Sequence, residues 1–501
     1  MPHWLLGVDV GTTGVKALLV DEHGRIRSIA TRGYPMRTPR LGWAEQDPLL
    51  WWRAAQAAIR QVAAGGRSRW IAAVGLTGQM HGLVMLDRPG RVIRPCILWN
   101  DQRSAGQCRK ILRRIGLRDL LRHTGNTVLP GFTAPKLMWV REHEPAAYRR
   151  TAKVLLPKDY IRFRLTGEYW TDVADASGTS LFDVGRRQWS EYIVKRLRIP
   201  RSWLPGVTES PSISAYISPD AARQTGLRSG TPVVGGGGDQ ACQAVGAGIV
   251  DDSAAAVTIG TSGVVFAVQD RFRPESKGRL HAFCHAVPGL WHLMGVMLSA
   301  GGSFRWLRDC LSRGEATRSD AYQAMTAEAA SVPAGCEGLI FLPYVSGERT
   351  PYADPDARGV FFGLSLRHSR SHLIRAVMEG VAFGLLDSMN LLRGLGIAAP
   401  RIRVTGGGSR SRLWQQIIAD VFSVPVEVVE DEGAAYGAAL VAGVGARVFP
   451  SAVTAARSAV RVRGRAKPGP ASRIYPAYYR CYRDLYQSLR ERFGDLARLT
   501  Q

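Results

Sequence analysis

A carboxylate at the end of a glycine run is the strongest chemical feature of the chain. Val233-Val234-Gly235-Gly236-Gly237-Gly238-Asp239-Gln240-Ala241 carries a short apolar strand end into four glycines and then into Asp239. A backbone without Cβ atoms admits another backbone or a ligand at close range. Asp239 at its mouth is a candidate general base, and equally a candidate cap for a helix that follows. A second carboxylate, Asp9, stands two residues before the turn Gly11-Thr12-Thr13-Gly14. That turn offers backbone N–H groups and two hydroxyls, the makings of a phosphate cradle; an ordinary β-turn has the same composition. Asp9 is suited to holding a metal ion through water, as magnesium prefers.

Gly260-Thr261-Ser262-Gly263 repeats the first turn between two apolar strands in the second half. Two similar halves, each bringing a hydroxyl-bearing turn to one cleft, would grip a polyphosphate from both sides. Thr77-Gly78-Gln79-Met80-His81-Gly82 follows a buried strand and places an amide, a thioether and an imidazole between two glycines. That set suits a small polar molecule with a partly apolar face; a structural histidine is the plainer alternative. Ile97 to Asp101 is a further strand end with polar groups for the same cleft. Gly406-Gly407-Gly408-Ser409 ends another strand, either as a tight turn or as flat backbone for a nucleotide base or sugar.

The elements that must position these groups read as α/β. Residues 4–20 are strand, turn and strand, and Arg25 to Ala30 a third strand. Asp47-Pro48 opens a helix with Trp51, Ala54, Ala55, Ala58, Ile59 and Val62 on its buried stripe. Gly131 to His143 reads as an amphipathic structural helix. Leu155 to Tyr160 reads as a loop before a helix, its Lys158 and Asp159 solvated or paired. The strand into the glycine run ends a first domain, 1–248, and a second covers 249–501. In the second, Ser371 is expected to cap a helix over about 372–394, with Gly380 and Gly384 permitting close packing. Gly433 to Leu440 is a small-residue helix expected to pack near the Gly406 turn. The final helix carries Tyr478, Tyr482, Leu485, Tyr486, Leu489 and Phe493 on one face, for docking on its own domain or on a partner chain. A homodimer through the C-terminal half is the expectation for assembly.

The formal net charge is +25 over 501 residues. The basic residues are dispersed and no nucleic-acid-binding signature accompanies them, so the expectation is no nucleic-acid partner. No apolar run is long enough to span a bilayer, and the N-terminus reads as a first strand, so no membrane partner is expected. Seven scattered cysteines without a Cys-x-x-Cys fit reduced thiols and a cytoplasmic protein.

Taken together, these landmarks resemble the FGGY carbohydrate kinases, and among them the xylulokinase branch, from about residue 4 to about residue 445. Gly131 to His143 is similar to one family signature. Gly359-Val360-Phe361-Phe362-Gly363-Leu364, with His372-Leu373 and Ala376 to Glu379, is similar to the other. Thr77 to Gly82, Leu156 to Tyr160 and Ser346 to Pro351 resemble xylulokinase segments. The resemblance implies two ribonuclease-H-like domains of the actin/hexokinase/Hsp70 ATPase architecture, the first mainly for sugar and the second mainly for ATP. It implies ATP and Mg2+ as cofactors, Asp239 as general base, and Met80, His81 and Gln240 beside the sugar. It implies Asp9 as the magnesium-orienting residue through water. Gly11, Thr12, Thr13, Gly260 and Thr261 would form the phosphate turns, and Gly406, Gly407, Gly408 and Ser409 the adenosine-side turn.

The implied reaction is transfer of the ATP γ-phosphoryl group to the 5-hydroxyl of D-xylulose. The chain departs from the branch at Gln240, where an asparagine is usual, and at Asp431-Glu432-Gly433. Gln240 favours the alternative of another ketose or polyol, such as ribulose, as acceptor. A non-catalytic ATP-binding regulator on the same architecture is the alternative from another class.

Overall fold

A computed structural model describes residues 3–311, 320–430 and 433–499. Two seven-stranded mixed sheets organise it. The first contains β1 (Trp4–Val10), β2 (Gly14–Val20), β3 (Ile26–Gly33), β4 (Ile71–Gly78), β5 (Ile213–Tyr216), β6 (Pro232–Val234) and β7 (Gly237–Gly238). The second contains β8 (Ala255–Ile259), β9 (Gly263–Gln269), β10 (His281–Cys284), β11 (Trp291–Met297), β12 (Ile402–Thr405), β13 (Val426–Val429) and β14 (Val462–Ala466). Each sheet is built the same way. An antiparallel meander (β1-β2-β3; β8-β9-β11) is extended by strands parallel to its first strand (β4 and β6; β12 and β13). This is the ribonuclease-H-like order, twice, and the repeated Gly-Thr turns are the β1–β2 and β8–β9 connections.

The helices that matter for the site are α1 (Pro48–Ala63), α2 (Thr133–His143), α3 (Pro157–Thr166), α4 (Asp239–Gly246), α5 (Arg370–Gly394), α6 (Ala434–Gly445) and α7 (Tyr475–Leu499). Helix α1 begins as expected: the Asp47 carboxylate accepts from Leu49 N, and the stripe from Trp51 to Val62 is buried. Helix α5 starts at Arg370 and is capped by Ser369 rather than Ser371. Its Gly380 does allow close packing, since a Cβ there would lie 2.2 Å from the Phe341 carbonyl oxygen. Helix α7 lays Tyr482, Tyr486 and Phe493 into the core of its own half.

Helix α6 departs from expectation. It does not lie against the Gly406 turn but runs behind the first sheet. A Cβ at Gly7 would sit 1.9 Å from the Ala435 carbonyl oxygen, and one at Gly75 2.0 Å from that of Ala438. On another face α6 crosses α4, where a Cβ at Gly437 would fall 1.7 Å from the Cys242 carbonyl oxygen. Its small residues are therefore explained by backbone-to-backbone packing against β1, β4 and α4. Asp431 and Glu432, just before it, lie outside the described residues.

Candidate active site

The three parallel strands β1, β4 and β7 end side by side. Asp9 pairs in register with Thr77, and Thr77 with Gly237. With adjacent strands roughly 4.8 Å apart, Asp9 and Gly237 are about 10 Å apart across the sheet, and Asp239 stands two residues beyond Gly237. The glycine run is shaped by packing. Gly236 has φ +69° and a Cβ there would meet the Leu76 carbonyl oxygen at 1.9 Å; at Gly238 a Cβ would meet Met80 Cγ at 2.8 Å. The run thus admits a neighbouring strand and the Met80 side chain.

Asp239 is the first residue of α4, with Gly238 at the cap position. Its Oδ1 accepts the Gln240 backbone N–H at 2.7 Å, and the Gln240 side-chain amide also bonds to it. Burial raises Asp239 to about 6 despite these bonds. Asp9 is raised to about 7, first by burial and then by the charge of Asp239, against the opposing pull of Lys16. The two carboxylates therefore face a common, poorly solvated space. Asp9 Oδ1 is buried without a hydrogen-bond partner, an acceptor left over for something else.

His81 has φ +69°, a left-handed backbone that a histidine adopts at a cost. Its carbonyl oxygen accepts from Thr133 Oγ1 and from Lys136 Nζ, each at 3.0 Å. Its Nδ1 lies 2.6 Å from the Gly178 carbonyl oxygen. That oxygen only accepts, so Nδ1 carries the proton and Nε2 is left as an acceptor. Burial lowers His81 to about 3, so the ring is neutral, and it stacks on Phe132 at 4.5 Å. Lys136 is fully buried and burial brings it down to about 7. Helix α2 is accordingly more than a packing helix: one lysine inside an otherwise apolar stretch was the available sign.

Gln79 faces away from Met80 and His81. It accepts from Thr12 Oγ1 at 3.1 Å and donates to Gln46 Oε1 at 3.1 Å, while Gln46 donates to the Thr12 carbonyl oxygen at 2.7 Å. Trp99 Nε1 reaches Thr12 Oγ1 at 3.0 Å, and Tyr34 Oη donates to the Gly11 carbonyl oxygen at 2.5 Å. The first turn is thus braced from three sides, with Thr13 left exposed. Asp101 turns inward to Arg103 at 2.8 Å and takes no part.

In the second sheet Thr261 is exposed, and its carbonyl oxygen accepts from Ala300 N at 3.0 Å and Gly302 N at 2.9 Å. Gly406, at φ +81°, packs on the Ile259 backbone, where a Cβ would come within 2.7 Å of the carbonyl oxygen. Gly407 to Ser409 form a short helical turn beside it, with Ser409 Oγ bonded to the Gly406 carbonyl oxygen at 2.7 Å. The Gly260 and Gly406 turns are therefore neighbours at the ends of β8 and β12.

Beneath the glycine run lies a buried charge cluster, in which Lys158 and Asp159, expected to be solvated or paired, are paired. Lys158, Asp159, Arg162, Asp172 and Asp175 are all 0 or 1 % exposed. Lys158 Nζ lies 2.5 Å from Asp159, 2.6 Å from Asp172 and 3.5 Å from Asp175. Arg162 donates to the Val234 carbonyl oxygen at 2.7 Å and to that of Gly235 at 2.5 Å. Asp172 accepts from Ala174 N and Asp175 N and so fixes the stretch that presents the Gly178 carbonyl to His81. Burial raises Asp175 well above the usual carboxylate range. One cluster thus holds both the strand that leads to Asp239 and the partner of His81.

The halves meet beside this site. Asn126 donates to the Ala282 carbonyl oxygen at 2.8 Å, Cys284 N donates to Ser177 Oγ at 3.0 Å, and Phe132 packs with Phe283.

The profile of the FGGY family of carbohydrate kinases, N-terminal domain, matches residues 4–246, and that of its C-terminal domain matches residues 255–446. A xylulose kinase of Escherichia coli (strain K12) is 41 % identical over 88 % of this chain and 90 % of its own. The chain belongs to the FGGY family of carbohydrate kinases. It is an enzyme of that class, and the alternative of a non-catalytic regulator falls away. A gluconokinase of Bacillus subtilis (strain 168) is 32 % identical over 88 % of this chain and 87 % of its own. A solved structure titled as a xyloylose kinase from Brucella ovis superposes with a TM-score of 0.92 at 38 % identity, covering 98 % of this chain and all of that one. Among the described residues of this FGGY kinase no helix is long and apolar enough to cross a membrane.

Proposed function

We propose that the enzyme transfers the γ-phosphoryl group of ATP to the 5-hydroxyl of D-xylulose, giving D-xylulose 5-phosphate and ADP. The observation that carries this reading is the pair Asp239 and Asp9, both raised towards neutrality at adjoining strand ends, beside a neutral His81 and Met80. Residues 1–248 supply the sugar side and 249–501 most of the ATP side.

Asp239 accepts the hydroxyl proton as the oxygen attacks phosphorus, and ADP departs. A base that titrates near 6 is ionised at neutral pH and still basic enough to take that proton in the transition state. His81 Nε2 accepts from a sugar hydroxyl, and Met80 packs on the apolar face. Gln240 restrains Asp239 through its amide and borders the sugar. The N–H groups and hydroxyls of Gly11, Thr12, Thr13, Gly260 and Thr261 orient the phosphates, and Gly406 to Ser409 lie along the adenosine. Phosphoryl transfer asks the protein chiefly for such positioning and charge stabilisation.

Mg2+ fits the residues present, because the unpartnered, buried Asp9 Oδ1 is a hard oxygen acceptor of the kind that holds a magnesium-bound water. When bound, the ion offsets negative charge on the transferring phosphates.

A coupled ADP-release assay over D-xylulose, D-ribulose, gluconate and glycerol tests the acceptor. D-xylulose should give the highest kcat/KM. A higher value for gluconate or D-ribulose would overturn the substrate and make Gln240 the mark of a different acceptor, a reading that the gluconokinase relative also supports.

A further inference from the structure

A cavity of about 710 Å³ opens between α5, α7 and Pro351-Tyr352, and all of its lining residues belong to the second half. Its size is that of a small-molecule site. One wall is basic. Lys277, Arg483 and Arg490 line it, are exposed, and make no ion pair among the described residues. Arg279 beside them is held by Glu275 at 2.7 Å. Guanidinium groups in such a position match the oxygens of a phosphate in paired fashion.

The lining is not basic alone. Asp387 is only 5 % exposed. Its Oδ1 accepts the Tyr479 hydroxyl at 2.6 Å, and that hydroxyl accepts from Asn390 Nδ2 at 3.0 Å. Its Oδ2 has no partner. Burial raises Asp387 to about 7 while Arg483 pulls it down, the signature of an acceptor short of donors. Tyr352 stacks on Tyr486 at 3.6 Å and 17° and gives the cavity a flat apolar face. A bare anion would leave Asp387 unsatisfied and be repelled by it. A ligand that carries both hydroxyls and a phosphate would satisfy Asp387 and the basic side chains together.

We propose that this cavity is a second binding site, for a sugar phosphate, with Arg483, Arg490 and Lys277 on the phosphate and Asp387 on the sugar hydroxyls. It shares no residue with the site around Asp239, and it stands whichever sugar that site phosphorylates.

The test is calorimetric titration of the full-length enzyme with D-ribose 5-phosphate, D-ribose and inorganic phosphate. Wild type and Asp239→Asn should bind D-ribose 5-phosphate alike, and at least about tenfold more tightly than either fragment. The double variant Arg483→Gln/Arg490→Gln should lose about tenfold or more in affinity while keeping its turnover, since both side chains are exposed and outside the catalytic machinery. Lys277→Glu should weaken binding in the same direction. Equal affinity of the double variant and wild type, equal affinity for inorganic phosphate, loss of binding in Asp239→Asn, or no binding at about 10 mM would each overturn the assignment.

Discussion

Replacing Asp9 with asparagine should make the protein more stable and useless. In the folded state Asp9 is raised from 3.8 to about 7 by burial and by Asp239. The folded protein therefore holds the Asp9 proton more tightly than the unfolded chain does. The sign follows: the penalty for a charged Asp9 is absent well below the unfolded value of 3.8, grows as pH rises, and is complete above about 7. At 1.36 kcal/mol per unit the full rise is about 4 kcal/mol. Part of it is Asp239's charge and part is relieved by Lys16, so about 2–4 kcal/mol is the expected gain for Asp9→Asn at pH 8. For halves of this size that is a rise in Tm of roughly 4–16 °C. Thermal unfolding of wild type and variant at pH 8 and pH 4.5 measures it. The gap should be wide at pH 8 and shrink to about a quarter of that at pH 4.5. Adding Mg-ATP at pH 8 should narrow the gap from the wild-type side, because the ligand supplies the missing partner only where the carboxylate is present. An Asp9→Asn protein no more stable than wild type at pH 8, or a gain that does not change with pH, would refute the claim that Asp9 is kept as an unsatisfied acceptor.

Asp239→Asn should leave the sugar KM within a few-fold and lower kcat by about 10²–10⁴-fold, as a coupled assay would show; near wild-type turnover would remove Asp239 as the base. The kcat/KM profile of wild type should fall on the acid side with a midpoint close to the Asp239 value of about 6, and in solvent of higher ionic strength that midpoint should move little because the group is enclosed. Arg162→Met removes the donors to Val234 and Gly235 and leaves Asp159 without one of its cations, a loss of about 3–5 kcal/mol. Denaturant melts should show it, and Arg162→Lys should restore part of both stability and kcat; a stable, active Arg162→Met enzyme would show that the glycine run holds itself.

What could be read in the sequence was what short-range chemistry writes there. The two Gly-Thr turns, the glycine run into Asp239 and the capped helix after Asp47 depend on residues within a few positions, and each lies where its sequence places it. The ribonuclease-H-like order of strands around β1 and β8 was implied by the family resemblance. What was hidden depends on who meets whom across the fold. Gln79 sits next to Met80 in sequence, yet strand alternation turns it to the Thr12 turn. Lys158 and Asp159 could be read only as solvated or paired, and it is the return of Asp172, Asp175 and the Val234 and Gly235 carbonyls that makes them and Arg162 interior. Lys136 gave a clue by its apolar neighbours, but not its partner, a backbone oxygen of His81. The resting place of α6 could not be foreseen because Gly7, Gly75 and Gly437 become meaningful only together.

The crossing of α4 and α6 at Gly437 has a mechanical meaning. Asp239 opens α4, and α4 meets α6 at main-chain distance at Gly437, with the small side chains of Cys242, Ala434 and Ala438 packed beside the crossing. Large interlocked side chains resist sliding in steps, as teeth do; a crossing flanked by small residues offers fewer such steps and suits turning about one point better than separation. A swing of the second half about that point would carry Asp239, the proposed base, close to the axle, where displacement is smallest.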